Sequence, residues 1–205
     1  MIVTISREYG AAGLAVADGV ARTLGYHLLT DDLPASVAAR LGTSQEEVAA
    51  RAGAERPLAE RVLGGLEAGN PEWIEAAAAS DADPFDLQVR RELERSVREY
   101  AERGNVVILG RMAGVLLAGR TGLLRVFLTA PKPWRIERIA EAFGLKPERA
   151  AAEIARVDAR RRNYARERFG MTWGSPDAYD LILDTSRFGI EGAIELIAAA
   201  TARAL

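Results

Sequence analysis

Three stretches of this 205-residue chain carry residue types suited to holding phosphate-like anions. The first is Ser6-Arg7-Glu8-Tyr9-Gly10-Ala11-Ala12-Gly13, where small residues precede an amphipathic segment and would let an anion approach backbone amides at a helix N-terminus. Set against GxxxxGK[ST], the lysine place falls on Gly13 or Leu14 and the hydroxyl place on Leu14 or Ala15, so neither register supplies lysine or hydroxyl. The bland alternative is a Gly-Ala turn packing a helix on a strand. The second stretch, residues 156–168, holds six arginines against two acids. On a helix Arg156, Arg160 and Arg161 would line one side, with Tyr164 about one turn further along. A solvated charged helix is the ordinary reading of such a run; the excess of one sign favours a helix that faces an anion. The third feature is Arg111, directly after the apolar run Val106–Leu109, with a surface arginine at a strand end as its alternative. Asp31, Asp32 and Asp184 follow short apolar runs and could serve as substrate or metal carboxylates, or as helix caps.

Composition narrows the chemistry further. The chain has no cysteine, which excludes disulfides, thiolate zinc sites and a thiol nucleophile. It has one histidine, His27, so a Ser-His-Asp triad or a multi-histidine metal site would have to be built around that residue alone. Placed in an apolar strand, His27 reads as structural. The net charge is only −2, yet of 27 basic residues just Lys132 and Lys146 are lysine. The cations are therefore almost all guanidinium forks, which pair with phosphate bidentately. No apolar run approaches the roughly 18 residues needed to span a bilayer. Met1–Ser6 is too short, and lacks the basic start, for a secretory signal, so a cytoplasmic protein without membrane contact is the expectation.

These residues need a scaffold, and the apolar pattern supplies one. Ile2–Ile5 reads as a buried strand, and apolar or small residues recur at helical spacing from Ala11 to Leu24 before a stop at Gly25. A short strand fits His27–Leu29, followed by a helix started by Pro34 and ending about Leu41. Residues 42–83 are rich in Ala, Glu and Arg with repeated Gly and Pro breaks, a helical insertion in which Thr43-Ser44-Gln45-Glu46-Glu47 offers a capping box. A long amphipathic helix runs from Pro84 to about Glu102, then strands fit Asn105–Leu109 and Leu123–Leu128. Helices fit about 132–142 and 147–168, a last strand Asp180–Asp184, and a last helix from Gly189 to about Arg203. Trp73, Trp134 and Trp173 read as packing or lid residues. Strands separated by helical stretches predict right-handed crossovers and a mainly parallel sheet covered on both faces. In such sheets ligands bind beyond the carboxyl ends of the strands, which is where Ser6–Gly13, Thr30–Asp32, Gly110-Arg111, Thr129-Ala130 and Asp184-Thr185-Ser186 fall.

Taken together, Ile5–Gly13, Val107-Ile108-Leu109-Gly110-Arg111, Arg125–Pro131, Asp158-Ala159-Arg160-Arg161-Arg162-Asn163-Tyr164 and Tyr179–Ser186 with Gly189-Ile190-Glu191 resemble the cytidylate kinase-like family. The resemblance covers nearly the whole chain in order and spacing. It implies an α/β, three-layer P-loop NTPase fold: a five-stranded parallel sheet (core about 1–30, 86–131 and 179–205), a helical monophosphate-binding insertion (about 31–85) and a helical lid (about 132–168). It also implies transfer of the γ-phosphoryl group of ATP to CMP or dCMP with Mg2+. By the same resemblance Ser6, Arg7, Gly10 and Gly13 cradle ATP phosphates, Arg111 contacts the monophosphate, and Arg156, Arg160 and Arg161 clamp the transferring group; Ala11 and Ala12 are counted with the phosphate loop, and Asp31 and Asp184, from their places after short apolar runs, with the substrate. No residue set for a metal ion is implied by the motifs. The chain departs from the family where Ala12 and Leu14 replace a glycine and a basic residue, and where Met112 and a lid arginine stand in place of aspartates. Arg7 is the residue expected to replace part of the missing lysine. Two other functions are compatible with the sequence: a nucleotide-binding or regulatory protein of the same fold without turnover, and a nucleic-acid-binding domain using residues 156–168, which the net acidity disfavours.

Overall fold

The computed structural model describes residues 1–30, 33–44, 46–48 and 84–204. Within them lie strands β1 (Ile2–Arg7), β2 (His27–Leu29), β3 (Val106–Leu109), β4 (Leu123–Thr129) and β5 (Leu181–Asp184). The helices are α1 (Gly13–Leu24), α2 (Leu33–Leu41), α3 (Pro84–Arg103), α4 (Ala113–Leu116), α5 (Lys132–Phe143), α6 (Pro147–Phe169) and α7 (Thr185–Thr201). All five strands are parallel, in the order β2-β3-β1-β4-β5. The chain divides into two compact units, one of residues 1–30 with 97–205 and one of residues 31–96.

In the first unit the strands alternate side chains between two covered faces. Val3, Ile5, Val107, Leu124, Val126, Leu128 and Leu183 form one core with Val16, Ala17 and Val20 of α1 and Ala193 and Ile197 of α7. On the opposite face α4 lies so close that a Cβ on Gly114 would come 3.1 Å from Thr4 Oγ1. That face also holds Phe127, packed by the Trp173 and Tyr179 rings at 5.1 and 4.9 Å. Helices on both faces of a parallel sheet make the three-layer α/β arrangement expected from the apolar pattern. His27, placed in a buried strand by its sequence neighbours, is exposed at the sheet edge and stacks on Tyr100 at 5.2 Å.

The second unit joins α2 to the first part of α3, where Arg40 reaches Glu92 and Ser96. Ser44 accepts the Glu47 amide at 3.1 Å, so the expected helix start forms, but Glu47 turns its carboxylate to the Thr43 hydroxyl. Asp31, Asp32, Trp73 and most of the expected insertion lie outside the described residues.

One boundary differs from the sequence pattern. The last helix begins at Thr185, four residues before Gly189, because Asp184 caps it by accepting the Ser186 amide at 2.8 Å. Gly189 then breaks the helix with φ 70° and ψ 178°, which gave the pattern its apparent start.

Candidate functional site

The carboxyl ends of β1, β3 and β4 meet the N-terminus of α1, and the site is built where they meet. After β1 the chain turns through Gly10, at φ 88°, and Ala12, at φ 56°. A non-glycine residue in the left-handed region costs about 1 kcal/mol or more, a strain that must be held by its surroundings. Three contacts hold it. The Glu8 amide donates to Leu128 O at 2.9 Å, the Ala11 amide to Glu8 O at 3.2 Å, and the buried Thr185 hydroxyl reaches the carbonyls of Ala11 and Thr129 at 3.3 and 3.2 Å. The amides of Gly10, Ala12, Gly13, Leu14 and Ala15 donate to no acceptor among the described residues. Unbonded amides around a helix N-terminus suit an anion, for which the helix dipole adds positive potential.

Arg7 crosses this loop. A Cβ on Gly13 would come within 2.6 Å of Arg7 Cγ, and one on Gly110 would collide with Arg7 Nη1. The side chain therefore runs from the start of α1, where its aliphatic stem lies, to the end of β3, where its guanidinium lies. Two glycines make room for it, which is why Gly13, unsuited to the lysine place, suits a crossing arginine. Beyond Gly110 the chain makes a left-handed turn through Arg111 and Met112, at φ 58° and 52°, before α4. Arg111 thus sits at the turn after β3, at the same end of the sheet.

The lid helices contribute unequally. Arg161 of α6 donates to Arg7 O at 2.9 Å and lies over the Tyr9 ring at 5.8 Å, so it is brought to the loop. Arg156 pairs with Glu153 at 3.0 Å and lines a depression of about 410 Å³ whose described lining residues all belong to α6, Glu148 to Arg156. Arg160 is exposed on the same helix. Arg161 falls on the side of the helix that holds Ile154, Val157, Asp158 and Ala165, about 100° round from Arg160 and further from Arg156, so Arg156 and Arg160 share a side that Arg161 does not. The balancing glutamate lies just before the arginine run, outside the stretch whose charge excess suggested an anion-facing helix.

Ser6 and Asp184 are placed with local partners. The Ser6 hydroxyl bonds to Tyr179, and burial pushes the Tyr179 hydroxyl above its ordinary pKa against the opposing effect of that bond and of one with the Gly174 backbone. Asp184 accepts both the amide and the hydroxyl of Ser186, at 2.8 and 2.6 Å. A cavity of about 360 Å³ opens between Glu8, Thr129 and Arg162, floored by Phe127 and Trp173.

Sequence reasoning missed the most buried charges of the site. Arg135 of α5 is 6 % exposed and Asp158 of α6 is 3 % exposed. They pair at 2.6 Å. Arg135 also donates to Ala130 O at 2.9 Å and Tyr9 O at 3.0 Å, while Asp158 accepts the Tyr9 amide at 2.9 Å. Glu8 joins them, 3.4 Å from Arg135 and accepting the Thr129 hydroxyl at 2.6 Å. The available signal was position: Arg135 falls four residues before the core-facing Ile139, and Asp158 four after Ile154, on the apolar stripes of their helices.

With respect to metal, the places after Gly13 hold Leu14 and Ala15, and no group of three His, Cys, Asp or Glu side chains could hold an ion among the described residues. The chain's own residues there do not fit a magnesium ion.

Known proteins agree with this layout. The solved structure of an uncharacterized protein from Eubacterium ventriosum superposes with a TM-score of 0.71 over 98 % of both chains at 19 % identity. A shikimate kinase from Bacteroides thetaiotaomicron gives 0.55 at 14 % identity, covering 98 % of this chain and 97 % of that one. At such identities the likeness concerns the fold alone, a three-layer α/β architecture around a parallel sheet. In sequence, the chain is 34 % identical to a cytidylate kinase from Pyrococcus horikoshii over 113 residues, 55 % of this chain and 58 % of that protein. The match thus spans less than two thirds of that relative's length. A cytidylate kinase from Halorubrum lacusprofundi is 33 % identical over 153 residues, 69 % of this chain and 78 % of that protein. The model of the cytidylate kinase-like family matches residues 2–187, and the chain belongs to that family.

Proposed function

We propose that this protein is a nucleoside-monophosphate kinase-like phosphotransferase that moves the γ-phosphoryl group of ATP to CMP or dCMP. The observation that carries the reading is the set of five unbonded amides at Gly10, Ala12, Gly13, Leu14 and Ala15, with the Arg7 side chain passing Gly13 and setting its guanidinium at Gly110. Phosphoryl transfer asks a protein mainly to position reactants and neutralise charge, which amides and guanidinium groups do without a nucleophile of their own. In this reading the amides hold the donor phosphates and Arg7 supplies cationic charge where the loop has no lysine. Arg161 faces the transferring group and Arg111 the acceptor phosphate, with Arg156 and Arg160 completing the clamp from further along the lid. Residues 31–85 and 132–168 would be the monophosphate-binding insertion and the lid. The family resemblance supports ATP and CMP or dCMP as substrates. Magnesium would arrive on the nucleotide, because the loop offers it no hydroxyl.

A second reading, nucleotide binding without turnover, is favoured by one observation: Gly13, Leu14 and Ala15 fill the lysine and hydroxyl places. One pair of measurements separates the two. Calorimetric titration with Mg·ATP reports binding, and a coupled assay with Mg·ATP against a panel of nucleoside monophosphates reports transfer. Turnover with CMP or dCMP supports the kinase, whereas saturable ATP binding with no turnover selects the second reading.

A further inference from the structure

The buried Arg135–Asp158 pair lies outside the roles assigned so far, although it makes more bonds to the loop than Arg161 does. One peptide unit on each side of Tyr9 Cα is fastened by it: Asp158 Oδ1 takes the Tyr9 amide at 2.9 Å, and Arg135 Nη1 holds the Tyr9 carbonyl at 3.0 Å. Asp158 Oδ2 closes the ring on Arg135 at 2.6 Å, and Arg135 Nε anchors the whole to Ala130 O at the end of β4. The next residue, Gly10, is packed against this guanidinium arm, since a Cβ there would stand 3.0 Å from Arg135 Cβ. Gly10 contributes the first of the five open amides.

Two buried charges are costly unless each is paired and hydrogen-bonded, and here each side chain meets charged and backbone partners together. The pair comes from two different lid helices and converges on one loop residue. We infer that Arg135 and Asp158 are positioning residues that hold the phosphate loop in its binding shape before nucleotide arrives, doing from the lid what a loop lysine cannot do here. The inference rests on the loop being the nucleotide site, but its first consequence, a preformed loop, does not need a nucleotide to be observed.

The test uses the full chain and the variants Asp158→Asn and Arg135→Lys. The first substitution keeps an acceptor for the Tyr9 amide and loses the ion pair; the second keeps the charge and loses the fork. Hydrogen exchange of the nucleotide-free wild type is expected to show the Tyr9 amide protected like those of β1. In both variants exchange at the bonded amides of Glu8, Tyr9 and Ala11 accelerates about tenfold or more, while core peptides of β4 and α7 keep wild-type rates. Mg·ATP affinity then falls about tenfold or more, and KM for ATP rises with KM for the monophosphate unchanged, the pattern of a misplaced donor site. Fast exchange at Tyr9 in the wild type overturns the inference, and so does unchanged exchange at Glu8, Tyr9 and Ala11 in either folded variant. Tighter ATP binding by Asp158→Asn also overturns it, because Asp158 would then be a competitor of phosphate. If the wild type binds no nucleotide, the kinase reading fails and the exchange data still decide whether the pair shapes the loop.

Discussion

Arg7 is asked to do two things that a lysine-bearing loop divides differently: its backbone carbonyl receives Arg161, and its side chain crosses Gly13 toward Gly110. Removing it should therefore affect charge neutralisation more than folding. Arg7→Ala is expected to lower turnover about 100-fold, the usual order for one lost electrostatic donor, with little change in melting temperature. A coupled assay beside a thermal melt checks both. The lid arginines make a second contrast. Arg161→Ala should cost more in kcat than Arg156→Ala, because only the former is bonded to the loop while Arg156 is held by Glu153. Equal losses would mean that the lid rearranges enough to bring Arg156 to the loop. Arg7 was legible in the sequence because the loop motif isolates it. Arg135 and Asp158 were not, since charged residues on apolar helix stripes are usually read as surface until burial is seen.

At the scale of elements, two aspartates at the ends of β5 show how local chemistry fixes the sheet edge. Asp180 takes the Arg125 backbone amide at 2.8 Å and the Arg125 guanidinium at 2.7 and 3.1 Å, joining the start of β5 to β4. The Arg125 hydrogen bond holds the Asp180 carboxyl below its ordinary pKa. A depressed folded-state pKa stabilises the fold above the unfolded-state value, and the effect is lost as pH falls through the folded-state value. Asp180→Asn should thus cost about 1 kcal/mol or less at neutral pH, as suits a half-exposed pair, and the difference from wild type should vanish in acid below the usual carboxylate range. Denaturant melts at several pH values measure this. Asp184→Ala should remove the α7 cap and cost about 1 kcal/mol of stability. A fall in turnover larger than that destabilisation explains would assign Asp184 to the substrate as well. Strand and helix identities were legible because apolar period and Gly stops coincide, as at Leu24-Gly25. The start of α7 was not, because Gly189 interrupts a helix that Asp184 had already begun.

For the whole molecule, the parallel order β2-β3-β1-β4-β5 brings residues distant in sequence to one sheet end. Arg7, Arg111 and Thr129 arrive there on three strands or the turns after them, and α6 brings Arg161 and Asp158 from far along the chain, Arg161 lying 154 residues beyond the Arg7 carbonyl it meets. Motif order along the chain made that convergence legible through family resemblance; contacts such as Asp158 with Tyr9 depend on packing that spacing does not specify. No helix among the described residues is long and apolar enough to cross a membrane. In the proposed function this convergence transfers a phosphoryl group despite a loop without lysine. The most direct measurement is the coupled assay of purified wild-type protein with Mg·ATP against the monophosphate panel. The account predicts turnover with CMP or dCMP above the other monophosphates, strongly reduced in Arg7→Ala. Absence of turnover with every monophosphate, in protein that is folded and binds Mg·ATP, would contradict it.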